Sequence, residues 1–511
     1  MSDSLTHSTV HGLKWSYAST AATMTLQIGV TALLARLLPP SAYGLVAMAN
    51  VLLIYVQQFA TMGAGSAVVQ KWDLSIRDIH TAFTSSLLLG AAFCALVMVL
   101  APIAAILFPD TPGVVGVTRV MSLSFVIGGL RITPEGLLQR RFAFRTVALT
   151  QIGSYVVGYA LVGVTMALLG FGAWSLVAAT LCTGAFAAVV YALLCRHDIG
   201  IRMNWHSFKT LYSFGGRVSL TAFCQAIASS LDTVWSGHYL GAAATGVYTR
   251  ATNLANTPLN ALLVSVGRVL LPGYSRLQHQ RGRLRSVYII TITTVAAIGM
   301  PVSWGIAGAA RQIIITLLGD QWLEAIPVLA VLSLAVPFTM LTHVGAMICE
   351  ATATLNVKIV IALGRIGWLV ALLAVLTRYG VVGIAAAFAL SEFINHIAYL
   401  LVMRRMFSLS LAELWHAYSL GATVGIITGA ALYGINVGLT AMGWPAPVIL
   451  AVQVALGALL LLGTITRARG GEQWREIKYR LGKAGYHREN RGLAAWLIRR
   501  IDGFGPRELN A

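Results

Sequence analysis

The chain is 511 residues long, 57% hydrophobic and only 10% charged, with a mean hydropathy of +0.77. Soluble globular domains carry about 25% charged residues, so no water-facing surface can be built here and the bilayer has to be the solvent. A net charge of +19 would point to nucleic acid in a soluble protein. The basic residues instead sit in short gaps between apolar runs and in the last 45 residues, which points to cytoplasmic loops and anionic lipid and away from nucleic acid.

A helix needs about 20 mostly apolar residues to cross the hydrocarbon. On that criterion the sequence predicts an all-α integral membrane protein of about fourteen transmembrane helices. The first six are expected near 15–38, 43–68, 82–108, 114–134, 147–169 and 173–195. The next six fall near 211–236, 243–272, 286–309, 325–349, 356–377 and 381–403, and two more near 418–440 and 446–466. The first run, Trp15 to Leu38, exceeds the roughly 7–15 residues of a signal-peptide core and is expected to stay as a helix.

Charge predicts the topology. With the amino terminus in the cytoplasm, inside segments hold 28 Lys and Arg, whereas outside connections hold only Arg36, Arg311 and Arg378. That asymmetry predicts an even number of crossings with both termini cytoplasmic. A shift of 202 positions lays Leu38, Gly44 and Ala49 on Leu240, Gly246 and Ala251, each time within helix, short turn, helix. Six intervening helices preserve orientation, so the sequence predicts a parallel pseudo-repeat. The expected units are a cytoplasmic tail (1–14), an N-lobe of six helices (15–200) and a C-lobe of six (201–405). Two extra helices (406–466) and a basic cytoplasmic tail (467–511) follow. In that tail Leu493, Trp496, Leu497 and Ile501 share one helical face bordered by Arg499 and Arg500, the pattern of an interfacial amphipathic helix. A solvated tail is the bland alternative.

No catalytic, cofactor or metal signature stands out. Gly482-Lys483 lacks the upstream glycine and following Ser/Thr of a phosphate loop, and the eleven histidines show no metal spacing. The five cysteines lie in or beside apolar segments and read as small buried hydrophobes. What remains are charges inside the apolar runs, each expensive in a bilayer. They are Arg119 in the fourth helix, Arg217 and Asp232 in the seventh, Arg250 and Arg268 in the eighth, Arg365 in the eleventh and Glu392 in the twelfth.

The arginines outnumber the acids, and a guanidinium suits bidentate phosphate binding. Arg217, Arg250, Arg365 and Arg119, with Asn253 and Asn256, are therefore the candidate substrate-binding residues; snorkelling to an interface is the plain alternative. Asp232 and Glu392 are candidates for carrying a coupling ion. Asp232 is fifteen residues beyond Arg217, about 22 Å along a straight helix, and cannot pair with it. Arg250 is expected roughly level with Asp232. Pro258 adds a kink where a gating helix could bend.

The run Ala35-Arg-Leu-Leu-Pro-Pro-Ser-Ala-Tyr-Gly-Leu45 resembles the Wzx-type lipid-linked oligosaccharide flippases. These are polysaccharide-export members of the multidrug/oligosaccharidyl-lipid/polysaccharide exporter superfamily. Met62-Gly-Ala-Gly-Ser-Ala-Val-Val-Gln70, Phe171-Gly-Ala-Trp-Ser-Leu176 and Leu240-Gly-Ala-Ala-Ala-Thr-Gly-Val-Tyr248 follow in the same order. Val269-Leu-Leu-Pro-Gly-Tyr-Ser-Arg-Leu-Gln278 and Leu318-Gly-Asp-Gln-Trp-Leu-Glu-Ala-Ile-Pro327 complete the set, which is most similar to the colanic-acid type used for exopolysaccharide.

The resemblance implies a substrate built on undecaprenyl pyrophosphate, moved from the cytoplasmic to the periplasmic leaflet of a bacterial inner membrane. It also implies two lobes around a cationic cavity, alternating access and coupling to an ion, H+ or Na+. Polysaccharide polymerase and export machinery would be partners, with membrane lipids around the protein. A cation-coupled drug antiporter of the same superfamily, or a non-transporting scaffold for polysaccharide assembly, are the alternative readings.

Overall fold

The computed structural model describes residues 26–60, 68–69, 71, 73–212, 215–352 and 354–467. Within these, the backbone alone is described for helical residues 215–222 and 258–269, among others. The side chains of Arg217, Pro258 and Arg268, both terminal tails and most of the Met62–Gln70 motif therefore lie outside the described residues.

Among the described residues the fold is all-α, without strands. We number the long helices α1 (Leu26–Leu37), α2 (Pro40–Ala60), α3 (Ile76–Leu100), α4 (Val114–Arg140), α5 (Phe144–Leu168) and α6 (Ala173–Leu194). Residues 215–277 form a hairpin of helices broken at Gly241, giving α7 (215–240) and α8 (242–277). There follow α9 (Arg281–Leu317), α10 (Ala325–Ala351), α11 (Leu355–Leu376), α12 (Gly380–Phe407), α13 (Leu411–Ala441) and α14 (Ala446–Arg467).

Ten described stretches are long and apolar enough to cross a membrane, against the expected count of about fourteen. The difference has identifiable sources. Only a short part of the first helix is described, residues 356–407 are continuous enough to count once although they hold α11 and α12, and the α7–α8 hairpin is described only in part. The chain is a multi-pass membrane protein.

Local sequence explains where the helices start. Ser75-Ile-Arg-Asp78 and Ser410-Leu-Ala-Glu413 each close a capping box at the head of α3 and α13. Lys71 pairs with Asp78 at 2.6 Å, and Arg285 pairs with Glu413. Basic residues thus tie down the end of the molecule where these two helices begin. At the far end, Pro39 and Pro40 stop α1 and start α2, since neither has an N–H to continue the first helix and Pro40 is preset for the second.

The α1–α2 turn sits directly against the α7–α8 turn. A methyl group on Gly44 would run into the carbonyl of Ala242, and one on Gly246 would run into the carbonyl of Pro40. Both positions need glycine because two backbones meet there. The main core gathers α1, α2, α8, α9, α10, α12 and α13, with α9 packed along α13 and α10 between α9 and α12.

Candidate functional site

Arg250 sits on α8, about two turns below Gly241. Its guanidinium carbon lies 4.0 Å from the centroid of the Tyr43 ring, on α2. Tyr155 and Tyr159 on α5 are also within electrostatic range. Their rings stack, with centroids 4.9 Å apart and planes 15° from parallel, and the Tyr159 hydroxyl meets Thr180 at 2.9 Å. The α5 backbone is π-helical from Val156 to Gly163, the local rewinding that often accompanies functional sites. Arg250 makes no ion pair among the described residues, and its Nε is buried without a hydrogen-bond partner. A cation out of water costs several kcal/mol. Its contact with a tyrosine face offsets about 2 kcal/mol of that.

Asp232 does not hold Arg250, as its level on α7 had allowed. Its carboxylate accepts the Tyr248 hydroxyl at 2.5 Å and the Thr233 N–H at 2.8 Å. The reason is helical phase. Residues two apart on a helix face different sides, so Tyr248 looks toward α7 while Arg250 looks toward α2 and α5.

Arg365 is also engaged. It forms an ion pair with Glu392 at 2.7 Å across the α11–α12 hairpin, with the Glu392 side chain only 2% exposed. Asp232 lies within electrostatic range of Arg365 as well. Of the two acids singled out from sequence, Glu392 thus pairs with Arg365 and Asp232 feels its charge at longer range. Arg119, in the first segment of α4, is exposed. Asn253 is exposed and Asn256 half-buried, continuing the α8 surface from Arg250 toward the basic end. Of the predicted arginines with described side chains, Arg250 alone combines a buried, unpartnered Nε with the lack of an acidic partner.

Sequence reasoning missed Tyr43, Tyr155 and Tyr159. Two tyrosines at i, i+4 in a helix otherwise rich in Val, Gly and Ala were the legible sign of a shared face. Among the described residues no group of three His, Cys, Asp or Glu side chains could hold a metal ion.

The model of a family described as "Polysaccharide biosynthesis protein" matches residues 33–327, more than half of the chain. The chain belongs to that family. The family match takes in α2 through α9, and so contains Arg250, Asp232 and all three tyrosines. Two relatives illustrate its range. The chain is 21% identical to the teichuronic acid biosynthesis protein TuaB of Bacillus subtilis over 480 residues, 91% of this chain and 96% of that protein. It is 27% identical to the succinoglycan biosynthesis transport protein ExoT of Rhizobium meliloti over 322 residues, 63% of this chain and 65% of that one.

Among solved structures, the lipid II flippase MurJ in an inward closed conformation superposes with a TM-score of 0.68 at 15% identity, covering 88% of this chain and 98% of its own. An inward-facing multidrug resistance MATE family transporter gives 0.57 at 17% identity, covering 75% and 94%. These likenesses establish a shared all-α transporter fold.

Proposed function

We propose that this protein is a flippase for undecaprenyl-pyrophosphate-linked oligosaccharides, carrying repeat units from the cytoplasmic to the periplasmic leaflet of a bacterial inner membrane for surface or exopolysaccharide assembly. The observation that carries this reading is Arg250, half-buried, with its Nε buried and unpartnered and no acidic partner among the described residues. In a family of polysaccharide biosynthesis proteins, the anion that such a group awaits is a lipid-linked phosphate. The names of TuaB and ExoT, one a teichuronic acid protein and one a succinoglycan transport protein, support a polysaccharide cargo. The fold shared with a lipid II flippase supports a lipid-linked one.

In this reading Arg250 binds the pyrophosphate. Arg217 meets it nearer the basic end, Asn253 and Asn256 line the approach, and Arg119 remains at the periphery. The basic end faces the cytoplasm, by the excess of Lys and Arg in its loops, and the basic tail after Arg467 lies on the anionic leaflet. Residues 15–200 and 201–405 act as two lobes that rock in alternating access, with 406–466 outside the repeat. Asp232 or Glu392 takes up the coupling ion. The polysaccharide polymerase and export machinery receive the product.

Deleting the gene tests the reading. The expected result is loss of surface polysaccharide with lipid-linked oligosaccharide accumulating on the cytoplasmic leaflet. Normal polysaccharide with new sensitivity to cationic dyes would replace it with a drug antiporter. Complementation with Arg250→Ala should fail at normal membrane abundance, because a charge-assisted hydrogen bond is worth about 1.5–3 kcal/mol, at least tenfold in rate. Full export by that variant would place the anion site elsewhere.

A further inference from the structure

We infer that the loop Gly319–Trp322 is a latch that holds the far end of the molecule shut, and that Tyr43 ties this latch to the guanidinium of Arg250. The latch begins with an orphaned acceptor. In a continuing helix the carbonyl of Ala35 would receive the N–H four residues on, but that residue is Pro39 and has none. The loop between α9 and α10 supplies the missing donors. Trp322 Nε1 donates to the Ala35 carbonyl at 2.8 Å, and Gln321 Nε2 donates to the carbonyls of both Ala35 and Leu38. In return, Arg36 donates from Nη2 to the Thr316 carbonyl at 2.7 Å. Two motifs far apart in sequence, Ala35–Leu45 and Leu318–Pro327, thus close on each other across the seam between the two halves.

Tyr43 connects this closure to the candidate anion site. The Trp322 ring, fully buried, meets Tyr43 edge-on with centroids 5.3 Å apart and planes at 68°. The face of Tyr43 carries the Arg250 guanidinium, and the tyrosine hydroxyl is buried without a partner. No hydrogen bond therefore holds the Tyr43 hydroxyl, and its ring lies between Trp322 on one side and the cation on the other. An anion that draws the guanidinium off the ring removes one of the two contacts that hold the Tyr43 ring in the latched state. The groups released at the far end, the Ala35 carbonyl and the Gln321 amide, can then turn to water, so the latch is breakable. A ligand shifts such an equilibrium only by its preference for one state, and here that preference comes from the guanidinium exchanging a tyrosine face for a phosphate. This coupling rests on Arg250 being the anion site; the latch itself does not.

The test uses a reporter cysteine, Ala42→Cys, in the full chain. Ala42 is buried in the same core cluster as Trp322, and the chain without the reporter sets the labelling background. Purified protein in lipid nanodiscs is treated with a membrane-impermeant maleimide. Slow labelling is expected in the parent reporter, and at least fivefold faster labelling with Gln321→Ala or Trp322→Phe, each checked for monodispersity. Gln321 is exposed, so its variant remains informative if the tryptophan variant fails to fold. Parent-rate labelling in the folded variants would overturn the latch.

Undecaprenyl pyrophosphate added to the nanodiscs should speed labelling in the parent reporter and leave it unchanged with Tyr43→Leu. The same acceleration in Tyr43→Leu would overturn the coupling through Tyr43. Binding of undecaprenyl pyrophosphate to Arg250→Ala is measured separately. Undiminished binding there would remove the anion reading and the coupling with it, leaving the latch to be decided by the lipid-free labelling.

Discussion

Arg36 and His238 stand 202 positions apart and make equivalent bonds. Arg36, at the end of α1, donates to the carbonyl of Thr316 near the end of α9; His238, at the end of α7, meets the carbonyl of Leu107 just after α3; both distances are 2.7 Å. The residues before them match as well. Ala35 lies beneath Trp322, and Gly237 lies against the ring of Phe108. The same shift relates Gly44 to Gly246 and Pro40 to Ala242, whose backbones meet reciprocally. In both places a helix end in one half of the chain is bonded to a helix end in the other.

If the two tethers are equivalent, Arg36→Ala and His238→Ala should each loosen the far end. Each removes one hydrogen bond, worth about 0.5–1.5 kcal/mol net. Maleimide labelling at Ala42→Cys should rise a few-fold in each variant, and further in the double variant. A response to Arg36→Ala alone would make the match a packing coincidence.

Gly44→Ala and Gly246→Ala should each lower stability. The added methyl meets backbone, which cannot rotate away, and overpacking of this kind costs about 1–3 kcal/mol. Thermal melts in detergent should shift down for both. Gly29→Ala is the control, since nothing lies within 4 Å of its added methyl. Equal melts for all three would contradict the tight seam.

Arg365→Ala should be more damaging than replacing both partners. It strands Glu392, whose side chain is 2% exposed, and leaving a buried charge unpaired costs about 3–5 kcal/mol. Adding Glu392→Ala should recover part of that loss in a double-mutant cycle. Additive losses would mean that the 2.7 Å pair is not a functional unit.

Tyr248→Phe removes the hydroxyl that Asp232 accepts at 2.5 Å while keeping the ring. The expected loss is about 1–3 kcal/mol, the cost of leaving a buried acceptor short of a donor. Asp232→Asn combined with Tyr248→Phe should show strong coupling by thermal denaturation. Independence of the two changes would indicate that Asp232 is held mainly by Thr233.

The positions of the membrane helices were legible in the sequence because the bilayer imposes a length and a composition on every crossing segment. The same constraint made the turn at Gly241 and the Pro39-Pro40 stop readable, since each breaks an apolar run with a residue suited to a turn. The 202-residue shift was legible for a different reason: it relates small residues, and Gly44 and Gly246, one such pair, both stand where backbones meet. The excess of intramembrane arginine over acid meant that acids could not pair with every guanidinium.

Which arginine lacks an acidic partner only the tertiary structure decided. Composition treats Arg250 and Arg365 alike, yet α11 and α12 turn toward each other so that Glu392 neutralises Arg365, while the acid level with Arg250 faces a tyrosine. Tyr248 and Arg250 are two residues apart, and the phase of α8 sends one to α7 and the other to Tyr43. The tether of Trp322 to Ala35 spans 287 residues, and no local pattern encodes it. Hydrophobic periodicity says which residues face lipid or protein, but pairing depends on which helix faces meet. That is settled only when all the helices pack at once.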